Sequence, residues 1–139
     1  MDKQIIATEK APAAVGPYSQ GVHAGDFIFT AGQLGIVPGT KEFAGPDIES
    51  QTRQALENLK AVLEAGGSCL EHVVKTTVFL QDIGEFSRMN GVYTEFFPQN
   101  PPARSAVQVA ALPLGGRVEI EAVALACGCE GGKEACSCD

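Results

Sequence analysis

The chain has no tryptophan, two tyrosines, two histidines and two methionines in 139 residues. With so few large rings it offers no stacking platform for sugars. His23 and His72 are too few for a histidine-rich metal centre, and His-Glu-x-x-His is absent. A Ser-His-Asp triad would need one of them, yet no G-x-S-x-G elbow precedes a helix. His72, after Glu71 at the mouth of a strand, reads as a surface residue. No G-x-x-x-x-G-K-[ST] loop and no strand-borne G-x-G-x-x-G occur, so no phosphate cradle of those kinds is expected. No apolar run approaches eighteen residues, so no membrane span is expected. Residues 1–8 lack the apolar core of a signal peptide, and a cytoplasmic location is the expectation. Basic residues number 10 against 17 acidic, for a net charge of −7 with no basic stripe. That argues against a nucleic-acid partner.

What is present is enough for one domain that folds without staples. Apolar residues make up 45% of the chain and charged ones 19%. So few charges on a small domain suggest a surface covered by a partner, most simply another copy. Four of the five cysteines, Cys127, Cys129, Cys136 and Cys138, fall in the last thirteen residues, and the body holds Cys69. A disulfide framework would spread them through the fold. The tail thiols could hold a soft metal, but each pair is separated by one residue where a zinc knuckle has two. The expected organisation is a domain over 1–126 and a flexible Cys/Gly-rich tail over 127–139.

Hydrophobic periodicity predicts a short strand at 4–8 and a proline-containing loop at 11–18. Strands at 18–23 and 26–31 follow, joined as a hairpin through Ala24 and Gly25. A glycine-broken loop comes next, then a helix over 46–66 with its apolar face at Ile48, Ala55, Leu56, Leu59, Val62 and Leu63. Residues 73–80 read as a central strand, apolar on both faces. A second helix covers 83–97, with Gly91 inside it suggesting a close contact or a local function. Strands at 103–111 and 117–126 complete the order β-β-β-α-β-α-β-β. The expectation is an α+β fold: a mixed sheet with two helices packed on one face. The other face has no helix to cover it, which copies packed sheet to sheet would provide.

Two places carry chemistry. Arg104 follows the diproline Pro101-Pro102 at the start of a strand. A guanidinium there needs an anion or a route to water, and its planar fork of donors suits a small carboxylate. A strand-end arginine snorkelling to solvent has the same spacing. Glu119 and Glu121 flank Ile120 on a strand, so both carboxylates share one face about 7 Å apart. Val123 and Leu125 continue that face. A carboxylate near such apolar neighbours would hold its proton more strongly and could exchange it with water or substrate. A solvated face of an outer strand would show the same alternation.

Taken together, several ordered blocks resemble the RidA (YjgF) family of enamine/imine deaminases. They are APAAVGPYSQG at 11–21, AGQ at 31–33, VKTTV at 74–78, PARS at 102–105 and EIEAVA at 119–124. The resemblance covers nearly the whole chain up to about Leu125. It implies a chorismate-mutase-like fold, a homotrimer with three clefts between subunits, and no cofactor. It implies hydrolysis of 2-aminoacrylate and related 2-imino acids to 2-keto acids and ammonia, which protects pyridoxal-phosphate enzymes. By family match, Arg104 binds the substrate carboxylate and Glu119 holds the attacking water. Tyr18, Asn90 and the backbone at Gly32 line the cleft. Two positions depart from the family pattern: Ala31 stands where a serine is common, and Ala106 where a cysteine is common. The alternative is a non-catalytic protein that binds a keto acid or amino acid in the same cleft. A ribonuclease or translation-inhibitor role is disfavoured by the acidic surface.

Overall fold

The structure is a computed structural model that describes residues 2–127. Seven strands form one sheet: β1 (Lys3–Ile6), β2 (Gly21–Ala24), β3 (Phe27–Thr30), β4 (Gln33–Leu34), β5 (Val73–Leu80), β6 (Ala103–Gln108) and β7 (Val118–Leu125). Two helices, α1 (Ile48–Ala65) and α2 (Phe86–Phe96), interrupt them. The strand order is β1-β2-β3-β7-β5-β6, with β4 also paired to β7. Among the described residues only β5 and β6 pair in parallel, and α2 makes the crossover between them. The fold is therefore the expected α+β arrangement of a mixed sheet and two helices.

Helix α1 starts later than the apolar pattern suggests, because Asp47 caps it. The Asp47 carboxylate accepts from the Ser50 backbone N–H at 2.9 Å and from the Ser50 hydroxyl, an arrangement that stabilises a helix start by about 1 kcal/mol. The buried face is the expected apolar stripe, joined by Gln51, Thr52 and Asn58. Those polar groups are not misplaced. Asn58 Nδ2 donates to the carbonyls of Leu34 and Ile36 at 3.0 and 2.9 Å, and Gln51 Nε2 donates to Gly45 O. Both satisfy loop backbone that would otherwise be buried without partners. Gly35 permits this approach, since a Cβ there would lie 2.6 Å from the Gln51 Cα.

Alternation in β7 sorts the molecule. Val118, Ile120, Ala122 and Ala124 are buried in the core with Ile28, Val78, Leu80 and the stripe of α1. Glu119, Glu121, Val123 and Leu125 point to the face that carries no helix. By strand register that open face also holds Ile5, Phe27, Phe29 and Val107. These four, with Leu125, keep 40% to 58% of their surface exposed, so the face is apolar and uncovered.

Several expectations shift. The strand expected from Tyr18 begins at Gly21, because the side chain of buried Gln20 gathers the preceding loop. Its Oε1 accepts from Thr8 N–H at 2.6 Å, and its Nε2 donates to the carbonyls of Thr8, Ala11 and Pro12. The two-residue β4 lies inside what reads as a glycine-broken loop. The strand expected to reach Ala111 ends at Gln108, although Val109 N–H still bonds Leu80 O. Gly91 needs no close contact, since a Cβ there would meet nothing within 4 Å. Cys69 and Cys127 are both disulfide-bonded. The end of β7 returns beside the turn after α1. There Ser68 Oγ donates to Leu125 O, and the Cys127 sulfur lies against the Gly67 carbonyl. Cys129, Cys136, Cys138 and the rest of the expected tail fall outside the described residues. Among the described residues, no helix is long and apolar enough to cross a membrane.

Candidate active site

The residues singled out in the sequence fall into two groups on opposite sides of the sheet. The first surrounds Arg104. Its register partner on β5 is Thr76, a buried residue of the helix-covered face, so Arg104 also points toward the helices. Helix α2 meets it with Phe86, Asn90 and Tyr93, which stand at i, i+4 and i+7 on one side of that helix. Arg104 Nη1 donates to Asn90 Oδ1 at 2.7 Å. The guanidinium carbon lies 4.7 Å from the Tyr93 ring centre and 5.2 Å from that of Phe86. The ring faces attract the cation while leaving its polar edge free to donate. The Tyr93 hydroxyl and Thr76 Oγ1 share a buried hydrogen bond of 2.8 Å, which anchors the ring. Burial pushes the Tyr93 phenol above its usual range, against the opposing pull of Thr76 and Arg104.

The chain has four arginines, and the other three are paired. Arg53 meets Glu95, Arg88 meets Glu49 and Arg117 meets Glu85, each at 2.8 or 2.9 Å. Arg104 has no carboxylate among the described residues. An unpaired, partly buried guanidinium on a rigid strand, braced by an amide and two rings, is built to receive an anion.

The second group surrounds Glu119 on the open face. The loop residue Gly32, between β3 and β4, comes so close that a Cβ on it would lie 2.6 Å from Glu119 Oε2. A side chain at position 32 would displace the carboxylate. Glu119 and Glu121 line a pocket of about 310 Å3 together with Gly32, Phe79, Leu112 and Pro113. Burial pushes the Glu119 carboxyl above the usual carboxylate range, and the charge of Glu121 adds to the shift.

Within one protomer, then, Asn90 joins Arg104 and Gly32 joins Glu119, but the two pairs are separated by the sheet. Tyr18 sits about half exposed on the loop that Gln20 gathers, and no described hydrogen bond or ring contact ties it to either pair. Reading the sequence did not single out Phe86, Tyr93 or Thr76 as site residues. The first two look like an ordinary core stripe of α2, and only the strand pairing sets Thr76 beside Arg104.

Comparison with known proteins adds to this geometry. The endoribonuclease L-PSP family matches residues 8–126. The chain belongs to that family, also called the YjgF or RutC family. A RutC family protein of Pyrococcus horikoshii is 52% identical over 88% of this chain and 97% of its own length. The 2-iminobutanoate/2-iminopropanoate deaminase of Bos taurus is 49% identical over 88% of this chain and 90% of its own. Among solved structures, E. coli TdcF with bound serine superposes with a TM-score of 0.84. It is 44% identical and covers 88% of this chain and 98% of its own.

Proposed function

We propose that the protein is a cofactor-independent deaminase that hydrolyses 2-imino acids, such as 2-iminopropanoate formed from 2-aminoacrylate, to 2-keto acids and ammonia. The observation that carries this reading is Arg104, the one arginine held ready without a carboxylate among the described residues. The deaminase name of a relative 49% identical supports the reaction. Because Arg104 and Glu119 face opposite sides of one sheet, a site using both is assembled from two copies. The apolar open face is the surface on which copies would pack. A chorismate-mutase-like homotrimer with three such clefts accommodates this, and a cytoplasmic setting goes with it.

In the cleft, Arg104 fixes the substrate carboxylate, and Glu119 holds a water against the imine carbon. The water oxygen forms the new C–O bond while Glu119 takes its proton, and the C=N electron pair moves to nitrogen. That proton passes to the nitrogen to give a carbinolamine. Glu119 then takes the hydroxyl proton and hands it to the nitrogen as the C=O bond forms and the C–N bond breaks, so that ammonia leaves and the keto acid remains. The Gly32 backbone gives the water-holding carboxylate its space, while Tyr18 and Asn90 complete the walls. A second reading, a keto-acid or amino-acid binding protein, draws on the serine bound to TdcF.

A coupled assay, with a dehydratase generating 2-aminoacrylate from serine, separates the two readings. Arg104→Ala is expected to weaken pyruvate binding by about tenfold to a hundredfold, the worth of a charge-assisted bidentate contact. Glu119→Gln is expected to keep pyruvate binding and lower turnover about a hundredfold or more. Full turnover in Glu119→Gln would mean that another group, Glu121 first, holds the water. No turnover in the unsubstituted protein would leave only the binding reading, and normal pyruvate binding by Arg104→Ala would remove the site altogether.

A further inference from the structure

We propose that Glu121 is a positioning residue for Glu119: its carboxylate, on the same face of β7 and in the same pocket, acts on Glu119 while Glu119 handles the attacking water. The proposal rests on the role given to Glu119 above.

The placement follows from the strand. Glu119 and Glu121 are two residues apart, so their side chains stand about 7 Å apart on one face. Both line the pocket with Gly32 and Phe79. Opposite them on β5 stand Phe79 and Thr77, neither of which brings a charge. Lys75 shares the face but lies opposite Val123, beyond Glu121 from Glu119. On the other side β4 brings only Gln33 and Leu34. The facing residues of β6, Ser105 and Val107, are uncharged. Arg117, just before β7, is held by Glu85 and by the Pro46 carbonyl. Within the protomer Glu121 is therefore, among the described residues, the charged neighbour whose field reaches the Glu119 carboxyl. In the proposed cleft Arg104 of a second copy faces it, with its charge taken up by the substrate carboxylate.

The consequence is chemical. An ordinary carboxylate is a weak base toward water. A like charge in a pocket with apolar walls strengthens its hold on a proton and brings it nearer to what proton transfer at neutral pH requires. Glu121 itself need not touch the substrate.

The test uses the full chain with Glu121→Gln and Glu121→Asp. The titration of the Glu119 side-chain carboxyl is read by NMR with 13C-labelled glutamate. The pH dependence of kcat/KM is read in the imine assay. In Glu121→Gln both the titration midpoint and the acid limb should move down together. The plateau rate should fall by about twofold to fivefold. Glu121→Asp keeps the charge and should stay close to the unsubstituted protein in both. An unmoved midpoint overturns the proposal, and so does a midpoint that moves while the acid limb stays. If the unsubstituted protein hydrolyses no imine at any pH, the functional reading fails, and the NMR titration still decides whether the two carboxylates are coupled.

Discussion

The two faces of the sheet are built by the same strands and behave as different materials. Toward the helices, Ile28, Val78, Ile120 and Ala124 lose all contact with solvent, and buried Thr76 finds a partner in Tyr93. On the open face, the next residues of the same strands are Phe29, Phe79, Glu119 and Val123. This face combines exposed rings with a carboxyl that burial makes reluctant to ionise. One face is completed by its own chain. The other leaves large apolar side chains exposed in the protomer, with an acidic pair among them. Period-two alternation thus separates stability from chemistry within a single strand.

The covered face should be the harder to damage without unfolding. Ile120→Ala removes a fully buried side chain between two carboxylates and should cost about 2 to 5 kcal/mol of stability, read by urea denaturation. A loss below 1 kcal/mol would mean that the core is looser than its burial implies. The open face should respond differently. Phe29→Glu puts a charge on an exposed strand position, so the protomer should stay folded by circular dichroism. Association should be lost, with sedimentation moving from about three chain masses to one. Imine hydrolysis should fall with it, because the proposed site draws on two copies. An assembled Phe29→Glu protein would mean that copies meet through another surface.

The smallest effect concerns Glu119 itself, and its sign is the informative part. Its folded-state proton affinity is raised, so the native protein binds the proton more readily than the unfolded chain does. Stability from this group is present below the unfolded pKa and is lost as pH rises through the folded value. Glu119→Gln should therefore raise Tm at pH 7 and change it little at pH 4. The Phe29→Glu background is the place to measure this, where no second copy reaches the carboxyl. A lower Tm at pH 7 would mean that Glu119 makes a stabilising contact in the protomer. The expected combination of greater stability and lost turnover is that of a group kept for its chemistry.

The sequence shows the two helices, the alternation of β7 and the sheet face with nothing to cover it, because each follows from local periodicity. Arg104 and Glu119 were also legible as chemical oddities in their strands. That they point away from each other was not, since it depends on which residues pair across β5, β6 and β7. The same holds for Gln20 and Asn58, whose side chains satisfy backbone that is distant in sequence. Strand β4, two residues long, is too short to show a period. A count of cysteines does not reveal the disulfide-bonded state of Cys69 and Cys127.

The bracing of Arg104 matters most because the proposed ligand is so small. A 2-imino acid of three carbons has about six non-hydrogen atoms, and even the best small ligands gain only about 1.5 kcal/mol from each. A free arginine side chain carries about 2 kcal/mol of rotamer entropy, which would be a large share of that gain if it had to be frozen on binding. Asn90, Phe86 and Tyr93 hold the guanidinium before any ligand arrives. The immobilisation is thus completed during folding, where the whole core drives it. A molecule with almost no surface of its own then meets a cation that has no freedom left to lose.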